Sequence, residues 1–221
     1  MLDLIRQLID FILHIDAHLK EIVANYGMWT YVVLFLIIFA ETGLVVTPFL
    51  PGDSLLFAAG ALCAPVESQL NVHLLAVLLF VAAVLGDTVN YWIGAKVGPA
   101  VFNREDSIFL RKHHLERAHA FFQKYGGRAL VFARFVPIVR TFVPFVAGVG
   151  QMSYPRFLSY NIIGGFIWIY LFTYAGYFFG TRPWVEKNFK LVIVAIIILS
   201  ILPAIIEFWR ARRESAAKRA T

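Results

Sequence analysis

Polar side chains recur every three or four positions along residues 2–25: Asp3, Arg6, Gln7, Asp10, His14 and His18. Leu4, Ile5, Leu8, Phe11, Ile12 and Ile15 fill the other face. The spacing predicts an amphipathic helix lying in a membrane interface, within residues 1–27. His14 and His18 are four apart, but no further metal ligand accompanies them, so they read as part of the wet face.

The pattern then changes to long apolar blocks. Residues 28–46 form an apolar stretch interrupted by the charge of Glu41. The segment Thr47-Pro48-Phe49-Leu50-Pro51-Gly52-Asp53 cannot continue a regular helix, because Pro48, Pro51 and Gly52 break it. The apolar piece from Ser54 to Ala64 is too short to cross a hydrocarbon core of ~30 Å. The economical reading is a helical hairpin over 28–64 that enters and leaves on one side. Broken backbone at that depth must be buried in protein or line a wet cavity. Residues 70–94 predict a spanning helix, with Asp87 near its end.

Residues 95–127 form a polar, basic loop carrying Lys96, Arg104, Arg111, Lys112, Arg117 and Lys124. His113, His114 and His119 sit among them and read as solvated positions rather than metal ligands. Residues 128–150 repeat the hairpin pattern, cut by Arg134, Pro137, Arg140 and Pro144. A second span is predicted over 157–180, where Gly164, Gly165 and Gly176 allow close helix packing. A third is predicted over 191–209, interrupted by Pro203 and Glu207, before a basic tail at 211–221.

Composition agrees with the pattern. Of 221 residues, 60% are hydrophobic and 15% charged, and the mean hydropathy is +0.72. Soluble domains have roughly 45–50% apolar and about 25% charged residues. Disorder is excluded, and a soluble enzyme does not fit. The formal net charge of +6 reads as orientation in a membrane and not as nucleic-acid binding. The single Cys63 forbids an internal disulfide and reads as a small buried hydrophobe. The N-terminus lacks the features of a cleaved signal peptide.

Basic segments face the cytoplasm. The loop at 95–127 and the C-terminal tail are therefore expected there, with the first hairpin opening outward, the second inward, and the N-terminal helix outside. Basic Arg182, Lys187 and Lys190 in the outer loop run against this assignment. If 28–46 spans fully, the N-terminus moves inside. The expected fold is an all-α integral membrane protein. It has two opposed re-entrant helical hairpins in an inverted repeat, three spanning helices and the N-terminal amphipathic helix, with 28–210 as one membrane domain. The halves match poorly residue by residue, so the repeat rests on the order of elements. Inverted repeats with broken helices are the build of secondary transporters.

Five ionisable residues fall at membrane depth: Glu41, Asp53 and Asp87 in the first half, Arg134 and Arg140 in the second. Charges there should face inward and pair. One reading makes them salt bridges that hold the hairpins together. The other has Arg134 and Arg140 bind a phosphate, which guanidinium geometry suits. Broken-helix N-termini would add N–H donors. Glu41, Asp53 and Asp87 would then take up protons, since burial disfavours a charged carboxylate.

The segments Phe39-Ala40-Glu41-Thr42-Gly43, Pro48 to Asp53, Gly86-Asp87 with Tyr91 and Gly94, and Ala133 to Thr141 resemble the DedA family of bacterial inner-membrane proteins. The resemblance covers roughly residues 1–210. It implies two opposed re-entrant hairpins and lipid transport: return of undecaprenyl phosphate, movement of phospholipids, and dependence on the proton gradient. Eukaryotic relatives are lipid scramblases. The resemblance maps the family's important acidic residues to Glu41 and Asp53, and its arginines to Arg134 and Arg140.

The leading expectation is a translocase for a phosphate-bearing lipid, undecaprenyl phosphate or a phospholipid, linked to protons and located in the bacterial inner membrane. It would support envelope integrity. No cofactor, metal or nucleic acid is expected; a homo-oligomer stays open. The alternatives are a non-transporting assembly factor and a lipid-phosphate enzyme. The enzyme is disfavoured because no Ser/His/Asp grouping or His-Glu-x-x-His is present.

Overall fold

The computed structural model describes residues 15–44, 52–65, 68–102, 126–200 and 202, and every regular element among them is helical. Helix α1 (Ile15–Tyr26) meets a 3₁₀ turn at Gly27, whose φ of +51° suits glycine. Helix α2 follows (Thr30–Gly43), then α3 (Gly52–Leu62), α4 (Val72–Phe102), α5 (Ala129–Ala133) and α6 (Pro137–Val149). The last three are α7 (Tyr154–Phe179), α8 (Pro183–Lys187) and α9 (Phe189–Ser200). Most of the N-terminal amphipathic segment, Pro48 and Pro51, most of the basic loop, and Pro203, Glu207 and the tail lie outside the described residues.

Among the described residues two helices are long and apolar enough to cross a bilayer, over Val72–Val97 and Tyr154–Phe179. Helix α4 has 31 residues and does not stop at Gly94 as the sequence suggested. At 1.5 Å per residue it is about 46 Å long, more than a ~30 Å core requires. It starts at Asn71, whose Oδ1 accepts from the backbone N–H groups of His73 (2.9 Å) and Leu74 (3.1 Å), an N-cap. Because the helix continues to Phe102, Asp87 lies at its midpoint, not near its end.

The short helices and the long ones have inverse surfaces. Residues 52–60 of α3 and 141–148 of α6 are buried without interruption. Helices α4 and α7 instead expose apolar stripes, among them Val77, Val81 and Leu85, and Ile163, Phe166 and Leu171. A helix buried all round belongs inside a protein, whereas an exposed apolar stripe of this length belongs against lipid.

The packing is exchanged between halves. Helix α3, from the first half, packs chiefly on α7, from the second; α6 packs chiefly on α4. Both contacts bring backbones together at paired glycines. A methyl group at Gly60 would collide with the carbonyl of Thr173, and one at Gly176 with that of Phe57. In the other contact Gly94 meets the carbonyl of Phe145, and Gly148 that of Tyr91. Similar short sequences serve both, Phe57-Ala58-Ala59-Gly60 and Phe145-Val146-Ala147-Gly148, which differ only at the second position.

Proline explains the remaining break. Pro137 opens α6 at its first turn, and the residue before it, Val136, is extended (φ −122°, ψ 101°). That separates α5 from α6. Pro144 does not break the chain as the sequence suggested; it lies inside α6. It cannot donate to the carbonyl of Arg140, but a neighbouring helix supports the loosened turn. Asn90 Nδ2 of α4 donates to the adjacent Thr141 carbonyl at 2.7 Å, and to the Thr42 carbonyl of α2 at 3.2 Å.

Candidate functional site

The apolar interior falls into two clusters. One gathers α2, α3, the start of α4 and the later part of α7; the other gathers α5, α6, Tyr91 of α4 and Phe157 of α7. The five predicted charges meet between them. None is more than 9% exposed.

Arg140, in the first turn of α6, donates to Oε1 of Glu41 and, at 3.2 Å, to Oδ1 of Asp53. Arg134, at the C-terminal end of α5, donates to Oδ2 of Asp87 at 2.5 Å and to Oδ1 of Asn161 at 2.5 Å. Asn161 is held in turn by its Nδ2, which donates to the Val84 carbonyl at 3.0 Å. Both arginines of the second half thus pair with carboxylates of the first.

Each carboxylate on Arg140 also has a donor of its own. The N–H of Gly52, which opens α3, donates to Glu41 Oε1 at 3.1 Å. Any side chain at 52 would collide with the Glu41 carboxylate. Asp53 Oδ1 accepts from Trp168 Nε1 at 2.7 Å, and Oδ2 from the Ser200 hydroxyl. Trp168 is 1% exposed, and its ring faces both guanidiniums, 5.2 Å from Arg140 and 5.7 Å from Arg134.

The electrostatics are those of an anion site with resident anions. Asp53 sits favourably in the first turn of α3, where the helix dipole is positive. Arg140 in the first turn of α6 opposes its own dipole and needs anions beside it. Two helix starts and two guanidiniums converge, with carboxylates between them. Among the described residues three carboxylates face these two guanidiniums. Glu41 Oε2 and Arg134 Nε are buried without a hydrogen-bond partner. The cavity between Thr42, Asp87, Arg134, Arg140, Thr141 and Trp168 has a volume of about 10 Å³. That is the room of one water molecule, too little for a phosphate.

Of the residues predicted from sequence, all five charges and Gly52 come together here. Pro137 positions both arginines by separating α5 from α6. Among the described residues no group of three or more His, Cys, Asp or Glu could hold a metal ion. Sequence reasoning missed Trp168, Asn90 and Ser200. For Trp168 a signal existed: Asn161, Gly164, Gly165 and Trp168 fall on one face of α7 at helical spacing, and all are buried.

Comparison with known proteins places these features in context. The VTT domain matches residues 50–178. Protein DedA of Escherichia coli K12 is 59% identical over 215 residues, covering 97% of this chain and 98% of that protein. Membrane protein Rv0364 of Mycobacterium tuberculosis H37Rv, uncharacterized, is 48% identical over 82% of this chain and 81% of its own length. Inner membrane protein YqjA of E. coli K12 is 33% identical over 87% of this chain and 90% of its own. No solved structure matches the chain.

Proposed function

The chain belongs to the DedA family of VTT-domain membrane proteins, and from that premise we propose that it moves a phosphate-bearing lipid across the inner membrane. Undecaprenyl phosphate or a phospholipid is the cargo. The observation that carries this reading is the buried meeting of Arg134 and Arg140 with three carboxylates, one of them Asp87 at the middle of a helix long enough to span. A purely structural role does not require such a cluster, since well-packed apolar residues often replace buried ion pairs without loss of stability. Guanidiniums bind phosphate oxygens in the geometry they use for carboxylates. A phosphate headgroup therefore exchanges with Glu41 or Asp53 at Arg140, while its chains stay in lipid.

The cavity as it stands holds no phosphate, so exchange requires opening. A proton taken up by Glu41, Asp53 or Asp87 weakens that carboxylate's hold on its arginine and releases the arginine to the incoming anion. Such a step links transport to the proton gradient. The helix pairs α2–α3 and α5–α6 form the two re-entrant hairpins of this scheme. Helix α3, with 11 residues, is about 16 Å long and cannot cross a ~30 Å core. The C-terminus lies in the cytoplasm, as the basic tail directs.

The pairing of each arginine with a carboxylate of the other half favours a second reading, a non-transporting assembly factor in which the ion pairs act as staples. Purified protein in liposomes separates the two. Translocation of fluorescent polyprenyl phosphate or phospholipid above empty vesicles supports transport. No translocation of either lipid leaves the staple, and mass spectrometry of the lipids detects any hydrolysis.

A further inference from the structure

We propose that Trp168 is the positioning residue of the site, holding Asp53 and both arginines in place while an anion replaces Asp53 on Arg140; this rests on the transport reading above.

If a phosphate takes Arg140, a carboxylate that loses its only donor is stranded in a dry interior, at high cost. Asp53 is not in that position. Its Oδ1 accepts from Trp168 at 2.7 Å, a closer contact than the 3.2 Å to Arg140, and its Oδ2 accepts from Ser200. The donor and the arginine share one oxygen, so the arginine can leave while the oxygen stays hydrogen-bonded. Glu41 has the equivalent support in the N–H of Gly52.

The guanidiniums face the mirror problem, because they must not follow the carboxylates. Trp168 presents its ring to both, at 5.2 and 5.7 Å, and a desolvated indole face attracts cations. The ring also lines the small cavity where the anion would enter. One side chain therefore touches Asp53, Arg134 and Arg140, through two chemically separate parts: an N–H and a π face. Those parts can be removed separately.

Trp168→Phe keeps a ring and deletes the N–H. Asp53 is then less restrained and competes harder for Arg140. The half-saturating lipid concentration should rise about tenfold, the effect of one charge-assisted hydrogen bond, with the limiting rate per inserted protein kept. Trp168→Leu deletes the face as well and should lower the limiting rate too. The measurement is initial translocation rate against lipid fraction, in phosphatidylcholine vesicles carrying fluorescent polyprenyl phosphate and, in a parallel set, fluorescent phosphatidylethanolamine. A Trp168→Phe protein that inserts normally with unchanged half-saturation overturns the role. If that variant does not insert, Ser200→Ala carries the test, since it loosens the same carboxylate at its other oxygen. A several-fold rise in half-saturation supports the role, and none overturns it. Wild type moving neither lipid overturns the transport reading and the role with it.

Discussion

Asp53 and Arg140 lie in the first turns of two short helices from opposite halves of the chain, and their 3.2 Å ion pair joins those helix starts. The pair brings two positive helix ends together, which is electrostatically unfavourable without anions between them. Glu41 and Asp53 supply those anions. The first expectation follows from the shape of the cation. Arg140→Lys keeps the charge but replaces a planar fork by a point charge, which cannot serve two oxygens side by side in the same geometry. Transport should fall at least tenfold, the scale of one lost charge-assisted hydrogen bond, in protein whose membrane abundance is near normal. Translocation assays on purified Arg134→Lys and Arg140→Lys check this; full activity in both removes the phosphate clamp.

Protonation is expected to act in one direction. Adding a proton to Glu41 or Asp53 removes a negative charge from Arg140 and frees it for phosphate. Lower pH on the side from which these residues are reached should therefore speed translocation. Glu41→Gln and Asp53→Asn should flatten that response. A staple behaves differently: losing one partner of a buried pair costs about 3–5 kcal/mol, so the same variants would be scarce or thermally weak. Translocation at several pH values, read beside melting temperature, decides between the two behaviours.

The glycine crossings give a stability expectation in which two effects oppose. Alanine is favoured over glycine inside a helix by about 1 kcal/mol. At Gly60 or Gly148, however, the added methyl runs into the backbone of the opposite helix, at Thr173 or Tyr91. Overpacking against backbone costs about 1–3 kcal/mol. The net should be destabilising, and similar at both sites because the contacts are alike. Thermal unfolding of Gly60→Ala and Gly148→Ala in detergent measures it. Stabilisation at either site would mean that the helices separate more easily than their packing implies.

Cysteine labelling tests the hairpin. Met28 and Pro65 flank α2 and α3, and both are exposed. In a chain whose native Cys63 is replaced by Ala, Met28→Cys and Pro65→Cys should react with an impermeant reagent from the same side of the membrane. Reaction from opposite sides would make α2 and α3 together a crossing.

Much of this organisation was legible in the sequence because its signals are local. A proline fixes the residue before it, so the break at Val136 is readable from Pro137 alone. A charge in an apolar run has to find a partner, so Glu41, Asp87 and Arg134 announced themselves. What stayed hidden depends on residues far apart in the chain. Trp168 looks like any aromatic in a spanning helix until Asp53, 115 positions away, accepts its N–H. Asn90 matters because two carbonyls from different helices, Thr42 and Thr141, converge on it. Pro144 misled because a proline interrupts a helix only when no neighbour steadies the loosened turn. Asp87 reads differently for a simpler reason: polar residues after Gly94 resemble a loop, although α4 runs on to Phe102.

The crossing of short helices onto the long helices of the opposite half also bears on how the protein is made. Helix α3 leaves the ribosome well before α7, the helix whose backbone its Gly60 abuts. Until then Glu41 and Asp53 lack the Arg140 that pairs with them in the finished fold, and a lone buried carboxylate is costly unless it is solvated or protonated. Maturation of the N-terminal half is thus timed by the completion of the chain, and a fragment ending before Arg134 should be recognised by membrane quality control as an orphan.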